Sequence, residues 1–234
     1  MKLVCIDFET ANRFIGSICA VGVAVIEQGH ISQSRYWLVK PHVAHNIFDP
    51  FNIMIHGIQP RDVQDALEFN AIYDELRPLL SDSILVAHNA AFDMSALRHV
   101  LDLYNIEYPT VDYLCTYKLS RRVWSGLENY KLDTVSRSVG HQFNHHNAQE
   151  DALACGKVLL AALAAKGVSD INEITSLIGM KMGSLYSQGY SPCSIRNSKK
   201  TLQSVLPIGI GRCSEQGTDN IVEETQKDLL RLLK

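Results

Sequence analysis

Two carboxylates stand at the end of the first apolar run of the sequence. Residues 3–8 alternate between two faces as a β-strand does, and Asp7 and Glu9 lie at the carboxyl end of this run. A period of two places both acids on one face at the carboxyl end of the strand, the end of a mixed α/β sheet where ligands bind. Burial and mutual repulsion disfavour two charged carboxylates there, and a bound hard cation would reverse both penalties. The alternative is a strand that ends in water with both acids hydrated.

Two further acids open predicted helices. Asp93 follows the apolar run "ILVAHN" and shares an inward stripe with Leu97. Asp151 opens a later helix on a stripe with Cys155. The structural alternative to a ligand role is that an Asp in a first helical turn only stabilises the helix through its interaction with the helix dipole. Asp112, which follows a strand-like run, is the second choice for the position of Asp93.

A histidine lies on the approach to the last of these acids. His146 precedes Asn147, the predicted N-cap, and stands five residues before Asp151. Glu150, three residues after Asn147, is the expected capping-box partner, which leaves Asp151 without a structural role. An imidazole with an ordinary pKa of about 6.5 suits a general base at neutral pH.

The same loop offers a second interpretation. His141, His145 and His146 form a histidine cluster of the kind that can bind zinc. The cluster lacks cysteine partners and helical placement, so the zinc interpretation is the less favoured one. His145 alone has the pattern of a surface residue.

The elements that must position these side chains form an alternating pattern. Apolar periodicity predicts a first strand, a strand pair that turns at Gln28–Gly29, and then strands that alternate with helices. Helices are predicted over 69–80, 90–105, 130–140 and 147–167, and short strands over 83–89 and 109–115. This order indicates a mixed α/β sheet covered by helices.

Composition excludes several classes of protein. The chain has 234 residues, 46% of them hydrophobic and 20% charged, with a formal net charge of −3. This balance supports a packed core and argues against a polycation or wholesale disorder. The six cysteines form no C-x-x-C pair, which favours buried thiols in a reducing compartment over disulfides. No apolar run reaches membrane-spanning length, so no membrane partner is expected and the predicted location is the cytoplasm.

As a set, these motifs resemble those of the DEDDh 3′–5′ exonucleases, a family that includes the proofreading epsilon subunit of DNA polymerase III, ribonuclease T and oligoribonuclease. The segments "IDFETAN", "VAHNAAFDMSAL" and "HNAQEDALA" carry the resemblance, which covers residues 1–166. It implies a ribonuclease-H-like fold, with a mixed five-stranded sheet of three antiparallel and then parallel strands, flanked by helices. Gln59 and the segment "VDYLC" depart from the commoner pattern and leave substrate preference open.

The resemblance also implies a metal site. Two divalent ions, Mg²⁺ or Mn²⁺, would be held by Asp7, Glu9, Asp93 and Asp151, with Asp7 shared between them and His146 as the general base. Hard oxygen ligands suit such ions. The implied substrate contacts are Phe8, Thr10, His56, Asn89 and Phe92.

The implied activity is hydrolysis at the 3′ end of single-stranded or frayed DNA, with release of nucleoside 5′-monophosphates, in proofreading, replication or repair. The alternatives are a 3′–5′ exoribonuclease or oligoribonuclease with the same chemistry, and a non-catalytic nucleic-acid-binding module. The sequence leaves the oligomeric state open.

Residues 167–234 are predicted to be an extension of the exonuclease domain. The segment from about 181 to 218 is basic and rich in Ser and Gly, which is typical of a loop. A terminal amphipathic helix from Ile221 to Leu233 is predicted to follow. The extension is either an expendable tail or a docking segment for a partner such as a DNA polymerase subunit.

Overall fold

A computed structural model describes residues 1–187 and 189–196. The main sheet has seven strands in the order β3-β2-β1-β4-β5-β7-β8, and β6 pairs with β9 in a separate two-stranded sheet. The strands are β1 Lys2–Thr10, β2 Ile18–Glu27, β3 His30–Leu38, β4 Ser83–Ala87, β5 Val111–Cys115, β6 Met180–Lys181, β7 Gly183–Tyr186, β8 Gly189–Ser191 and β9 Ser194–Ile195.

The helices follow the strands as the alternating pattern predicted, with three that the sequence did not indicate: α1, α4 and α7. Two short 3₁₀ turns, Val43–His45 and Pro60–Asp62, flank α1. The helices are α1 Pro50–His56, α2 Phe69–Leu80, α3 Ala91–Leu103, α4 Thr116–Val123, α5 Leu132–Ser138, α6 Ala148–Lys166 and α7 Ile171–Ile178.

The first five strands have the predicted arrangement. β1, β2 and β3 are antiparallel, and β4 and β5 run parallel to β1. β2 is buried along all of its length except its last residue, whereas β3 is largely exposed. The central strands are therefore covered on both faces, and the carboxyl ends of β1, β4 and β5 lie at the same edge of the sheet.

The prediction of a loop-rich segment from residue 181 is wrong for its first part. β7 pairs antiparallel with β5, and β8 pairs antiparallel with β7, so this stretch extends the main sheet by two strands. The main sheet consequently continues beyond the predicted domain boundary at residue 166. The rest of the basic segment and the terminal helix lie outside the described residues.

α6 packs across β1, β2 and β3. Its N-cap is Asn147, as predicted, whose side chain accepts hydrogen bonds from the backbone N–H groups of Gln149 and Glu150. Gly167 ends the helix in the left-handed conformation with φ 66°. No single helix among the described residues is long and apolar enough to span a membrane, although α6 and α7 together, bent by 68°, have the necessary length and composition.

Gly22 lets the first turn of α6 lie directly on the sheet. Gly22 is the neighbour of Asp7 in the β1–β2 ladder, and a Cβ atom added to it would overlap the carbonyl group of Ala148. The absence of a side chain on Gly22 therefore brings the amino-terminal turn of α6, which carries Asp151, close to Asp7.

We expect Gly22→Ala to destabilise the protein by about 1–3 kcal/mol, because the added methyl group must displace helix backbone rather than a flexible side chain. Gly156→Ala is the matched control: its Cβ would lie 3.3 Å from Cys5 Sγ and 3.4 Å from Ile26 Cδ1. That crowding is partly offset by the higher helix propensity of alanine. Urea unfolding would measure both variants, and equal stabilities would contradict the close approach of α6 to β2.

Candidate active site

Three carboxylates converge at the end of β1. One oxygen atom from each of Asp7, Glu9 and Asp151 lies within 4.8 Å of the other two. Asp7 and Glu9 lie on the same face of β1. Asp151 lies in the first turn of α6, which packs across β1 and β2. The local causes of this convergence are the alternation of β1, the N-cap of α6 and the bare backbone at Gly22.

Asp93 adds a fourth carboxylate from the first turn of α3. Its side chain is 1% exposed, and its Oδ1 atom is buried without a hydrogen-bond partner in the described part of the chain. It does not belong to the group of three within 4.8 Å, but its charge is the largest electrostatic cause, after burial, of the raised pKa of Asp7. Asp112, the alternative acid, is exposed on β5.

The electrostatics of the group favour protonation when no cation is bound. Burial, followed by the charges of Asp93, Asp151 and Glu9, raises the pKa of Asp7 well above its usual range. Burial and the charges of Asp151 and Asp93 raise the pKa of Glu9 to about 9. Burial likewise raises the pKa of Asp151 to about 7, although backbone N–H groups of His146 and Asn147 oppose this shift. Each of these carboxylates therefore holds a proton more tightly than an isolated one would.

These properties fit a site for hard divalent cations. Asp93 and Asp151 each have a buried Oδ1 atom without a hydrogen-bond partner among the described residues. In the same part of the chain, no lysine or arginine forms an ion pair with any of the four acids. Oxygen-rich, negatively charged groups of this kind are what Mg²⁺ and Mn²⁺ bind. Asp7, Glu9, Asp93 and Asp151 are the residues that could hold such ions.

The histidine loop places His145, rather than His146, beside the acids. His145 Nε2 lies 3.3 Å from Asp151 Oδ1, within ion-pair range but without the alignment of a hydrogen bond. Burial and the charge of His146 lower the pKa of His145 to about 4, so its imidazole is neutral at physiological pH. The spacing argument missed His145, because only His146 lies five residues before Asp151.

His146 stacks on its neighbour. The two imidazole rings lie 3.9 Å apart at 27°, and the backbone of His146 is left-handed with φ 69°. Its charge also lowers the pKa of His56, so the ring lies near both histidines. A left-handed conformation is unfavourable for a residue with a side chain and is often found at functional sites.

The backbone of Thr10, the last residue of β1, is held by α1. The Thr10 carbonyl oxygen accepts a hydrogen bond from Asn52 Nδ2 at 2.7 Å and lies 3.2 Å from His56 Nε2. The backbone N–H of Ile58 donates to His56 Nδ1 at 3.0 Å, so the neutral ring carries its proton on Nε2 and donates it to Thr10. Asn52 was missed from the sequence because α1 itself was not predicted.

The remaining predicted substrate residues differ in their exposure. The side chain of Phe8 is 2% exposed and lies in the hydrophobic core, so its ring is not available for stacking on a base. Asn89 is half-buried and left-handed with φ 62°. Phe92 is half-buried and belongs to neither of the described hydrophobic clusters, so its ring could face a ligand.

Residues 4–159 match the protein family described as Exonuclease (RNase_T). The 3′-5′ exonuclease DinG of Bacillus subtilis (strain 168) is 30% identical over 168 residues, which cover 69% of this chain and 18% of DinG. DNA polymerase III PolC-type of Thermotoga maritima is 29% identical over 184 residues, or 74% of this chain and 13% of that protein. The chain thus spans less than a fifth of the length of these relatives.

Solved structures show the same fold. Exonuclease X in complex with 5′ overhanging duplex DNA is 26% identical with a TM-score of 0.58, covering 74% of this chain and 99% of that one. The nuclease domain of 3′hExo, a DEDDh family member bound to rAMP, has a TM-score of 0.62 at 16% identity, covering 70% of this chain and 92% of that one. At 16% identity, the second likeness supports the fold alone.

We expect the metal-free protein to lose stability as the pH rises from about 7 to about 9, the pKa values of Asp151 and Glu9 in the fold. Over this range the folded chain keeps a proton that an unfolded glutamate, with its usual pKa of 4.5, has released. The contribution of such a group is complete below its unfolded pKa and is lost as the pH passes its folded pKa. Thermal unfolding in EDTA should show the Tm falling by about 3–5 °C per pH unit for each proton that the folded chain retains.

Saturating Mg²⁺ or Mn²⁺ should reverse this trend, because cations bind the deprotonated carboxylates and release their protons. Asp7→Asn should raise the Tm of the chelated protein and remove most of the stabilisation by metal. The matched control Asp112→Asn, on exposed β5 surface, should behave as wild type. A chelated Tm that rises between these pH values would contradict protonated carboxylates in the metal-free site.

Proposed function

The chain belongs to the DEDDh 3′–5′ exonuclease family, and we propose that it hydrolyses the phosphodiester bond at the 3′ end of single-stranded or frayed DNA. The products are nucleoside 5′-monophosphates. The observation that carries this proposal is the convergence of Asp7, Glu9 and Asp151 within 4.8 Å at the end of a central strand, with buried Asp93 close enough to raise the pKa of Asp7. Buried acids that repel each other have no structural use in a module that only binds nucleic acid.

The four acids would hold two divalent ions, Mg²⁺ or Mn²⁺. When bound, such ions activate water and stabilise the oxygen atoms that gain charge during an in-line phosphoryl displacement. The protein keeps the four carboxylates in place: Asp93 and Asp151 are 1% and 3% exposed, which restricts their motion. The Asn147 cap fixes the turn that carries Asp151.

The histidine loop would supply the general base. His146 has a lowered pKa because of burial, so the neutral imidazole that can accept a proton is present at neutral pH. His145, 3.3 Å from Asp151 Oδ1, would position that carboxylate. The two rings are stacked, and the loop can therefore present one ring to the substrate while the other orients the acid.

The 3′-terminal nucleotide would lie between the end of β1 and the first turn of α3. The Thr10 backbone, held by Asn52 and His56, forms one side of this space. Asn89 and Phe92 precede Asp93 on the other side, where an aromatic ring can stack on an unpaired base.

We favour DNA as the substrate class, because the relatives with the higher sequence identities include one named for DNA polymerase and one bound to DNA. The 3′-5′ exonuclease DinG and the PolC-type DNA polymerase III share 27–30% identity with this chain, and exonuclease X, at 26%, is bound to DNA in its structure. The likeness to PolC also favours a role in proofreading or repair and a polymerase as partner. RNA is the alternative substrate on the same chemistry.

The decisive experiment incubates the purified protein with Mg²⁺ or Mn²⁺ and 5′-labelled single-stranded DNA or RNA. We expect stepwise shortening from the 3′ end, faster on DNA, with nucleoside 5′-monophosphates as products. Asp7→Asn should abolish turnover without unfolding the protein, whereas Asp112→Asn should cleave at the wild-type rate. Full activity of Asp7→Asn would eliminate the metal-dependent mechanism, and faster cleavage of RNA would move the assignment to an exoribonuclease.

We expect His146→Ala to lower kcat by about 10²–10⁴-fold, the usual contribution of a general base. His145→Ala should reduce kcat by about tenfold or less, since it removes a positioning contact, and should raise the concentration of metal needed for half-maximal activity. Steady-state kinetics over a range of Mn²⁺ concentrations separate the two effects. The assignment is reversed if His145→Ala has the larger kcat defect while His146→Ala works at full rate.

A further inference from the structure

One half-buried histidine joins α4 and the segment that leads into α5 to the active-site edge. His88 lies at the end of β4, next to Asn89. Its Nδ1 atom is 2.9 Å from Thr116 Oγ1, the first residue of α4, and its Nε2 atom is 2.9 Å from the carbonyl oxygen of Tyr130. The start of α4 and the residues before α5 are therefore held together beside the site.

Aromatic and cationic side chains lie next to His88. The ring of Tyr117 packs edge-on against His88, with centroids 5.9 Å apart. The guanidinium carbon of Arg121 lies 5.9 Å from the centroid of the Tyr117 ring. Arg121 and Lys131 are exposed. We call Tyr117, Arg121 and Lys131 the α4 ridge.

The charge of this region is opposite in sign to that of the whole chain. Residues 116–131 contain four basic side chains and one acidic one, in a protein with net charge −3. Two of the basic groups are engaged: Lys118 Nζ donates to the carbonyl of Cys193, and Arg122 Nη2 donates to that of Arg196 at 3.1 Å. Over residues 1–187 and 189–196, the side chains of Arg121 and Lys131 form neither an ion pair nor a hydrogen bond.

Lys131 is also close to the histidine loop. Its positive charge contributes to the lowered pKa values of His145 and His146. The carbonyl group of Tyr130, the neighbour of Lys131, contacts His88, and His88 contacts Tyr117, so His88 links the two ends of the α4 ridge. The surface on the other side of the site differs: α1 contains no lysine or arginine, and its Phe51 and Met54 are exposed apolar groups.

We propose that the α4 ridge binds the sugar–phosphate backbone of the substrate strand on the 5′ side of the nucleotide being removed. The acidic site repels phosphates, so a longer strand needs cations just beyond it, and Arg121 and Lys131 are cations without a partner in the described structure. Aromatic and arginine side chains along a cationic path are typical of single-strand binding surfaces. This inference rests on the proposed function and extends it by assigning the surface along which the upstream part of the nucleic-acid substrate lies.

The test compares a long substrate with a minimal one. The long substrate is a 5′-labelled single strand of about 20 nucleotides, enough to exceed a site of about 4–16 nucleotides; the minimal one is the p-nitrophenyl ester of thymidine 5′-monophosphate, which has no upstream strand. For Arg121→Ala and Lys131→Ala, the ratio of kcat/KM on the long substrate to kcat/KM on the minimal one should fall by about threefold to tenfold. Arg35→Ala, which removes an exposed arginine from edge strand β3, is the matched control and should keep the wild-type ratio.

Binding provides a second readout that does not require turnover. In an Asp7→Asn background, fluorescence anisotropy with the long strand should show weaker binding for either ridge variant. The slope of log K against log salt should also become smaller by about 0.7 for each charge removed. Ratios and salt slopes equal to those of Arg35→Ala would overturn the ridge proposal while leaving the exonuclease intact. A wild-type protein that hydrolyses neither substrate would instead overturn the proposed function, and the salt slopes would still decide the strand path.

Discussion

The mutual repulsion of four carboxylates at the end of β1 is the constraint on which the rest of the site depends. In water these groups would separate. In the fold, burial and then the charges of Asp151 and Asp93 raise the pKa of Glu9 to about 9, and burial raises that of Asp151 to about 7. The packing around them must supply the free energy that keeps them together. β1 lies in the middle of the sheet, and the first turn of α6 rests on Gly22, where no side chain intervenes. The site is thus prepared for cations by elements that are themselves apolar and rigid.

Local rules account for the parts of this arrangement that could be predicted. The alternation of β1, the cap at Asn147 and the inward stripes of α3 and α6 are each set by neighbours within a few residues, and the sequence shows them directly. The succession of strands and helices indicated a mixed α/β sheet, and its five-stranded order was implied by the resemblance to the exonuclease family. In contrast, β7 and β8 have four and three residues and are identified only by their pairing with β5. Strands this short carry too little periodic signal to be separated from a loop.

The side-chain roles that the sequence missed or could not decide depend on tertiary packing. Phe8 occupies the strand face opposite Asp7, and whether that face is core or ligand surface depends on the helices packed over it. Asn52 reaches Thr10 across 42 residues of sequence. His145 and His146 are indistinguishable by residue type, and the packing of their loop against α6 places His145 Nε2 3.3 Å from Asp151 Oδ1. Contacts between distant segments decided each of these roles.

The active site is acidic and the neighbouring α4 ridge is basic, so the two regions have different roles. The acids attract cations but repel the nucleic acid whose bond is to be cleaved, so the same charge that builds the site hinders its substrate. A bound divalent ion removes this conflict only at the scissile phosphate, because screening by salt limits its field to about 10 Å. Phosphates further along the strand need their own positive groups. His88 joins the end of β4 to Thr116 at the start of α4 and to Tyr130 before α5, so the fold that gathers the acids also anchors the segments that carry Arg121 and Lys131.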